Sequence, residues 1–134
     1  MTDSRSLQTS METLDAISDA ECRRLLGTQT LGRVGITSGG LPHILPVRYL
    51  YDDGAIEFRT GAGSKLRAAV SGDVLAFEVD SFEPESGRGW SVLVLGRASV
   101  IGLRGASERD YDVRLRCEMV TGRSITFEGH PTRV

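Results

Sequence analysis

A small, mainly β barrel is the fold class this sequence predicts, and three observations predict it. About six segments show the apolar–polar alternation of half-buried strands. Turn residues (Ser38-Gly39-Gly40, Asp52-Asp53-Gly54, Gly72-Asp73, Thr121-Gly122) separate them. The links are too short for the crossover helices of a parallel sheet, so neighbouring strands run antiparallel. Two short segments read as helices, and one alone of them falls between strands. Strands this apolar also gain from closing on themselves, which removes exposed sheet edges.

Composition sets outer limits. With 134 residues the chain is one domain, large enough for a core but not for two. Hydrophobic residues at 40% and charged residues at 25% are ordinary for a soluble globular domain. A net charge of −2 gives no support to a nucleic-acid binder. No apolar stretch approaches the ~20 residues of a membrane-spanning helix. The N-terminal MTDSRSLQTSMETLD has no apolar secretion core, so a cytoplasmic location is expected. Cys22 and Cys117 lack metal-ligand spacing and read as small buried apolar residues.

In chain order, residues 1–13 form an arm that is either mobile or a clamp onto a partner; the domain proper covers 14–127, and 128–134 is a tail. Ser18-Asp19-Ala20-Glu21 is a capping box, with Ile17 placed to staple onto Cys22. Cys22, Leu25 and Leu26 make the inward stripe of this first helix, and Gly27 is its candidate C-cap. Gly32–Thr37 and Leu41–Tyr51 form a hairpin. Pro42 and Pro46 donate no backbone hydrogen bond, so the second of these strands lies at an edge or carries a bulge near Pro46. Ala55–Thr60 follows, and a short helix is expected after Ser64. Val74–Val79 and Trp90–Leu95 are expected as inner strands, with Ser81–Gly89 a polar loop between them. The strand pattern continues to Leu103, with a bulge or tight bend at Gly96. Arg104–Asp110 is a charged connector. Tyr111–Val120 alternates Tyr111, Val113, Leu115, Cys117 and Met119 against Asp112, Arg114, Arg116 and Glu118, and Arg123–Phe127 adds a short strand.

The chemistry points to one place. The chain has no GxSxG elbow and no HExxH, its histidines are His43 and His130, and no metal site is expected. Asp52-Asp53 is a turn and Glu83 and Glu85 lie in a loop, so paired catalytic carboxylates are also unsupported. In Ala55–Ser71 (AIEFRTGAGSKLRAAVS) a strand stops at Gly61-Ala62-Gly63 and reopens as a helix. Backbone N–H groups at such a helix start suit an anion. Arg59, Thr60, Ser64 and Lys65 add charge and donors. The plainer reading is a strand–helix connection with a Ser64 N-cap and solvated basic residues. With other chemistry unsupported, a phosphate cradle at Arg59–Lys65 is the strongest chemical signal.

The sequence also resembles the pyridoxamine 5′-phosphate oxidase-like family of flavin-binding split barrels, in particular its small actinobacterial and nitroimidazole-resistance-like members. The resemblance rests on GRVGI (Gly32–Ile36), LPHILPVRY (Leu41–Tyr49), IEFRTGAGSKL (Ile56–Leu66), VLAFEVD (Val74–Asp80), GWSVLVLGRA (Gly89–Ala98) and VTGRSI (Val120–Ile125), in the family's order. It implies a six-stranded antiparallel split β-barrel that dimerises and holds FMN between two subunits. Trp90 is a candidate for that interface, and equally a candidate for the core.

By position, the resemblance places the backbone of Pro46, Val47, Arg48 and Tyr49 along the flavin ring. It places Arg59 and Thr60 at the ribityl chain and phosphate, and Ser64 and Lys65 on the phosphate. Ser91 stands where larger relatives have a glutamine touching the ring. The vitamin B6 oxidases carry two adjacent basic residues where this chain has Lys65-Leu66, so the resemblance does not extend to vitamin B6 oxidation. Two function classes follow. One is a flavin-dependent oxidoreductase acting on a small molecule, with FMN, or alternatively FAD or the deazaflavin F420, as cofactor and catalytic residues unknown. The other is a non-catalytic module that stores or senses a flavin, a deazaflavin or, with His43 as axial ligand, a haem.

Overall fold

The computed structural model describes residues 11–61, 74–103 and 110–128. Among these lie eight strands and one helix. They are β1 (Met11–Ala16), α1 (Asp19–Leu26), β2 (Leu31–Ser38), β3 (Leu41–Asp52), β4 (Ala55–Gly61), β5 (Val74–Glu83), β6 (Arg88–Leu103), β7 (Asp110–Arg116) and β8 (Met119–Glu128).

Antiparallel pairing runs β6-β5-β2-β3-β4-β7 and returns to β6, closing a six-stranded barrel. The hairpins form as their turn residues require. Gly39 and Gly40 (φ 60° and 77°) link Ser38 to Leu41, and Asp53 and Gly54 (φ 48° and 75°) link Asp52 to Ala55. Both are two-residue connections with left-handed φ, which match the twist of the flanking strands. Among the described residues, β3 pairs with β2 alone over Leu41–Arg48, so both prolines sit where no other described strand bonds.

The barrel is split by β6. One edge of this strand bonds β5 from Arg88 to Arg97. Its other edge bonds β8 over Arg88–Leu95 and β7 over Ala98–Leu103. Between these two stretches the chain crosses at Gly96, where a Cβ would stand 1.7 Å from the Arg116 carbonyl oxygen. The Glu118 carboxylate accepts the Arg97 N–H at 2.7 Å, and Cys117 N–H donates to Gly54 O at 3.1 Å. Gly96 is therefore a site of close backbone approach; the irregularity in β6 lies between Val100 and Gly102.

The same crossing corrects the single strand expected over Tyr111–Val120. That pattern breaks at Cys117-Glu118, and Met119 and Val120 begin β8. The polar loop expected at Ser81–Gly89 contracts to residues 84–87, because Ser81↔Trp90, Phe82↔Gly89 and Glu83↔Arg88 extend the ladder. Met11–Thr13, at the end of the expected arm, belong to β1 and pair with β8. The arm's first ten residues, the helix expected after Ser64, the connector over 104–109 and the end of the tail lie outside the described residues.

Inward-facing side chains fill the barrel. Val34, Ile56, Phe77, Val79, Val92, Val94, Val113 and Leu115 are fully buried, each contributing about 1.5–3 kcal/mol as a large apolar side chain removed from water. Trp90 is half-buried and packs against this core. α1 packs where β8 diverges from β7. The Ser18 side chain accepts Glu21 N–H at 3.1 Å, as a capping box should, and Gly27 N–H bonds Arg24 O. Cys22, Leu25 and Leu26 are buried, and Gly122 of β8 has no side chain to collide with Cys22 and Ile17.

Gly96→Ala should lower stability by about 3 kcal/mol, since a backbone carbonyl cannot yield as a side chain does. Gly102→Ala, whose Cβ would meet nothing within 4 Å, should change it little. Urea titrations of the two variants check the contrast, and equal midpoints would refute the crossing as a constraint.

Candidate functional site

The strand register assembles a groove on the outside of the barrel. Tyr49 faces Phe58 across β3–β4, and both point into the core. Alternation then turns Arg48 and Leu50 of β3, and Glu57 and Arg59 of β4, outward. On the far side of β4, Arg114 lies opposite Glu57 and Asp112 opposite Arg59. Arg48, Tyr49, Leu50, Glu57, Phe58, Arg59 and Asp112 line a groove of about 420 Å³.

Its charges are arranged in pairs with a remainder. Arg114 Nη1 donates to Glu57 Oε2, a close contact between two half-buried side chains. Arg59 Nε donates to Asp112 Oδ1 at 3.2 Å. Arg48 is exposed and has no acidic partner among the described residues. The lining thus holds two arginines and two carboxylates; with Arg114 pairing Glu57 from beside the groove and Arg59 pairing Asp112, Arg48 is the cation left without an acidic partner among the described residues.

A second groove, about 550 Å³, runs across β2, β3, β5 and β6 and includes Gly35, Ile44, Val74, Ala76, Leu95 and the half-buried His43. Beside it Arg33 stands 3.6 Å from both Glu78 and Asp80. Burial first, and then hydrogen bonding to Asp80, push the Glu78 carboxyl up to about 7. Among the described residues no three His, Cys, Asp or Glu side chains gather as metal ligands would, and no helix is long and apolar enough to cross a membrane.

The pyridoxamine 5′-phosphate oxidase family profile matches residues 18–132. The chain belongs to that family. The uncharacterized protein Rv0080 of Mycobacterium tuberculosis is 38% identical over 101 residues, spanning 72% of this chain and 66% of that protein's own length, just under two thirds. An FAD-binding protein of Mycobacterium smegmatis shares the fold with a TM-score of 0.71 and 31% identity, over 84% of this chain and 98% of that one. An FAD-binding protein of Mesorhizobium loti superimposes with a TM-score of 0.73 over 87% of this chain and 99% of that one; at 20% identity this is a likeness of fold.

For this member of the pyridoxamine 5′-phosphate oxidase family, the residues singled out from sequence divide sharply. Arg48 and Arg59 come together in the outer groove, with Thr60 half-buried next along β4. Pro46 is exposed on the same face of β3 as Arg48. Val47 and Tyr49 send their side chains into the core, which leaves their backbone for any ligand along β3. Ser91, half-buried on β6, pairs with Asp80 and Arg123 and does not line the groove. Ser64 and Lys65 lie outside the described residues. Leu50, Glu57 and Asp112 were not singled out. Asp112 was legible as a polar-face residue of an alternating strand, but only the β4–β7 register sets it against Arg59.

Tyr49 has a structural task. Its hydroxyl donates to Leu26 O at 2.6 Å, satisfying a carbonyl at the end of α1, and its ring meets Phe77 edge-on at 4.8 Å. Burial pushes the phenol up to about 12. The folded protein thus holds this proton more tightly than the unfolded chain, whose tyrosines titrate near ~10. The contribution is complete below about pH 10 and is lost as pH rises toward 12. Tyr49→Phe should cost about 1–2 kcal/mol at neutral pH, because Leu26 O loses its donor. It should also flatten the fall in stability above pH 10, which urea unfolding at stepped pH would reveal.

Proposed function

We propose that the chain binds a phosphorylated flavin on the outer face of β3 and β4 and serves as a flavin-dependent oxidoreductase for a small molecule. The observation that carries this reading is the convergence of Arg48 and Arg59 on one groove, where Arg48 has no acidic partner among the described residues. It lies beside a strand edge whose backbone groups, from Leu41 to Arg48, pair on one side only among the described residues. The groove offers guanidinium donors for a phosphate, and that edge offers N–H and C=O groups for the polar rim of a flavin ring. The residues present fit such a group. The FAD-binding M. smegmatis relative at 31% identity supports a flavin in this chain. FMN and FAD both carry the phosphate the groove suits.

Within the site, Arg59 would hold the phosphate, together with Lys65 by its place in the sequence. Pro46–Tyr49 would lie along the ring through their backbone. When bound, a flavin supplies a centre that takes up and returns a hydride, and the protein's part is placement and electrostatics. The absorption spectrum of the purified protein, with the mass of any cofactor released on denaturation, tests the reading. Flavin bands and a mass of FMN or FAD are expected. A shifted deazaflavin band, a Soret band or a bare protein spectrum would each refute it.

A charge-assisted contact to phosphate is worth about 1.5–3 kcal/mol, so Arg59→Ala should weaken FMN binding roughly 10- to 100-fold. Riboflavin, which lacks the phosphate, should bind this variant nearly as it binds the parent. Equal losses for both ligands would mean that Arg59 supports the fold and not the phosphate.

We further propose a homodimer that covers the flavin. A groove on one outer face supplies one wall, and a two-fold partner would supply another. The register sets Ile44, Gly35, Ala76, Leu95 and Met119 in one row across five strands. Ile44 and Met119 in this row are 76% and 57% exposed, a large apolar surface to leave in water. Light scattering at micromolar concentration should give twice the chain mass of 14.5 kDa. A monomer that retains flavin would overturn the shared site.

A further inference from the structure

Two ion pairs bridge β4 and β7 on alternate outward rungs, and they are built differently. Glu57–Arg114 joins a carboxylate to a terminal guanidinium nitrogen, with both side chains similarly half-buried at 25% and 30% exposure. Asp112–Arg59 joins an 18%-exposed carboxylate to the Nε of a 52%-exposed arginine. The first is a closed brace. In the second the carboxylate is sunk and the arginine stands out, and its Nη1 and Nη2 bond no other described residue.

The neighbouring strand also makes room at this rung. The register of β6 shifts between Val100 and Gly102, so that Asp112 faces Gly102, where a Cβ would meet nothing within 4 Å. Irregularities of this kind re-aim side chains beside functional sites. An exposed arginine loses much rotamer freedom when a ligand fixes it, and one already tethered at Nε loses less.

We propose that Asp112 is a positioning residue for the phosphate: it fixes Arg59 through Nε so that the two terminal nitrogens face the groove shared with Arg48. This inference rests on the flavin reading above and deepens it. The Asp112 charge by itself repels a phosphate, which works against the positioning effect. Asp112→Asn and Asp112→Ala both remove that charge, but only the asparagine keeps an oxygen that can accept Nε–H. Their difference reports what the oxygen at position 112 does, and its dependence on Arg59 assigns that effect to the tether.

FMN and riboflavin affinities of the two variants, measured by quenching of flavin fluorescence, test the assignment. Asp112→Ala should bind FMN about three- to tenfold more weakly than Asp112→Asn, the size of one lost orienting hydrogen bond. Riboflavin should not distinguish them. In an Arg59→Ala background the difference should vanish. Equal FMN affinities of the two variants, or a difference that survives without Arg59, would overturn the assignment while leaving the flavin reading intact. If the parent protein binds neither FMN nor FAD, the flavin reading fails and this inference with it. Should Asp112→Ala not fold, Asp112→Ser, too short to reach Nε, takes its place under the same expectations.

Discussion

One edge of a β-strand can bond only one neighbour at each residue, and the architecture turns on how β6 divides that edge. Residues up to Leu95 give it to β8, and residues from Ala98 give it to β7. The chain must pass from one partner strand to the other across β6, and it does so against Gly96. A side chain there would force the crossing strand away, and either the closure through β7 or the pairing of β8 would be lost. α1 occupies the space the divergence opens, with Tyr49 holding its last carbonyl and Gly122 leaving room for Cys22.

Closure through β7 is also what creates the candidate site. Without it, β4 would end the sheet and its outward residues would face water on one side. With it, every outward residue of β4 gains a partner on β7, opposite in charge on two successive rungs. Cross-strand pairs of this kind contribute roughly 0.2–1 kcal/mol each, small beside the burial of the core. Their larger effect is on geometry, because a guanidinium tethered to a neighbouring strand points where the barrel points it.

How much of this was legible in the sequence follows from the range of each interaction. The α1 cap, the two tight hairpins and the inner position of Val74–Val79 depend on residues a few positions apart, and all could be read directly. So could the outward placing of Arg48 and Arg59, through alternation with Val47, Tyr49 and Phe58. The task of the Tyr49 side chain was not legible, because its partner, Leu26 O, lies 23 residues away on an element whose docking no local pattern encodes. The apolar alternation from Tyr111 to Met119 hides the break at Cys117, since Met119 continues the pattern in the sequence although β8 turns it outward and buries the opposite parity, Val120 and Gly122. Asp112 opposite Arg59 needs the pairing of strands 53 positions apart, which neither strand states alone.

The same division of β6 separates two outer faces of contrasting character. On the β2–β5 side, Arg33 is outnumbered by Glu78 and Asp80 in the midst of exposed apolar residues, and Glu78 holds its proton to about pH 7. On the β3–β4–β7 side, Arg59 and Arg114 each pair a carboxylate, and Arg48 stands beside them with no acidic partner among the described residues. The whole chain carries a net charge of −2, so its overall sign would steer an anion away. At contact range the local balance governs instead, because solvent ions screen charges more than about 8–10 Å apart while leaving neighbours on one groove coupled. An anionic ligand therefore finds an unmatched cation in Arg48 of β3, while closure through β7, which adds Arg114 and Asp112 together, leaves that balance unchanged and fixes the direction of Arg59.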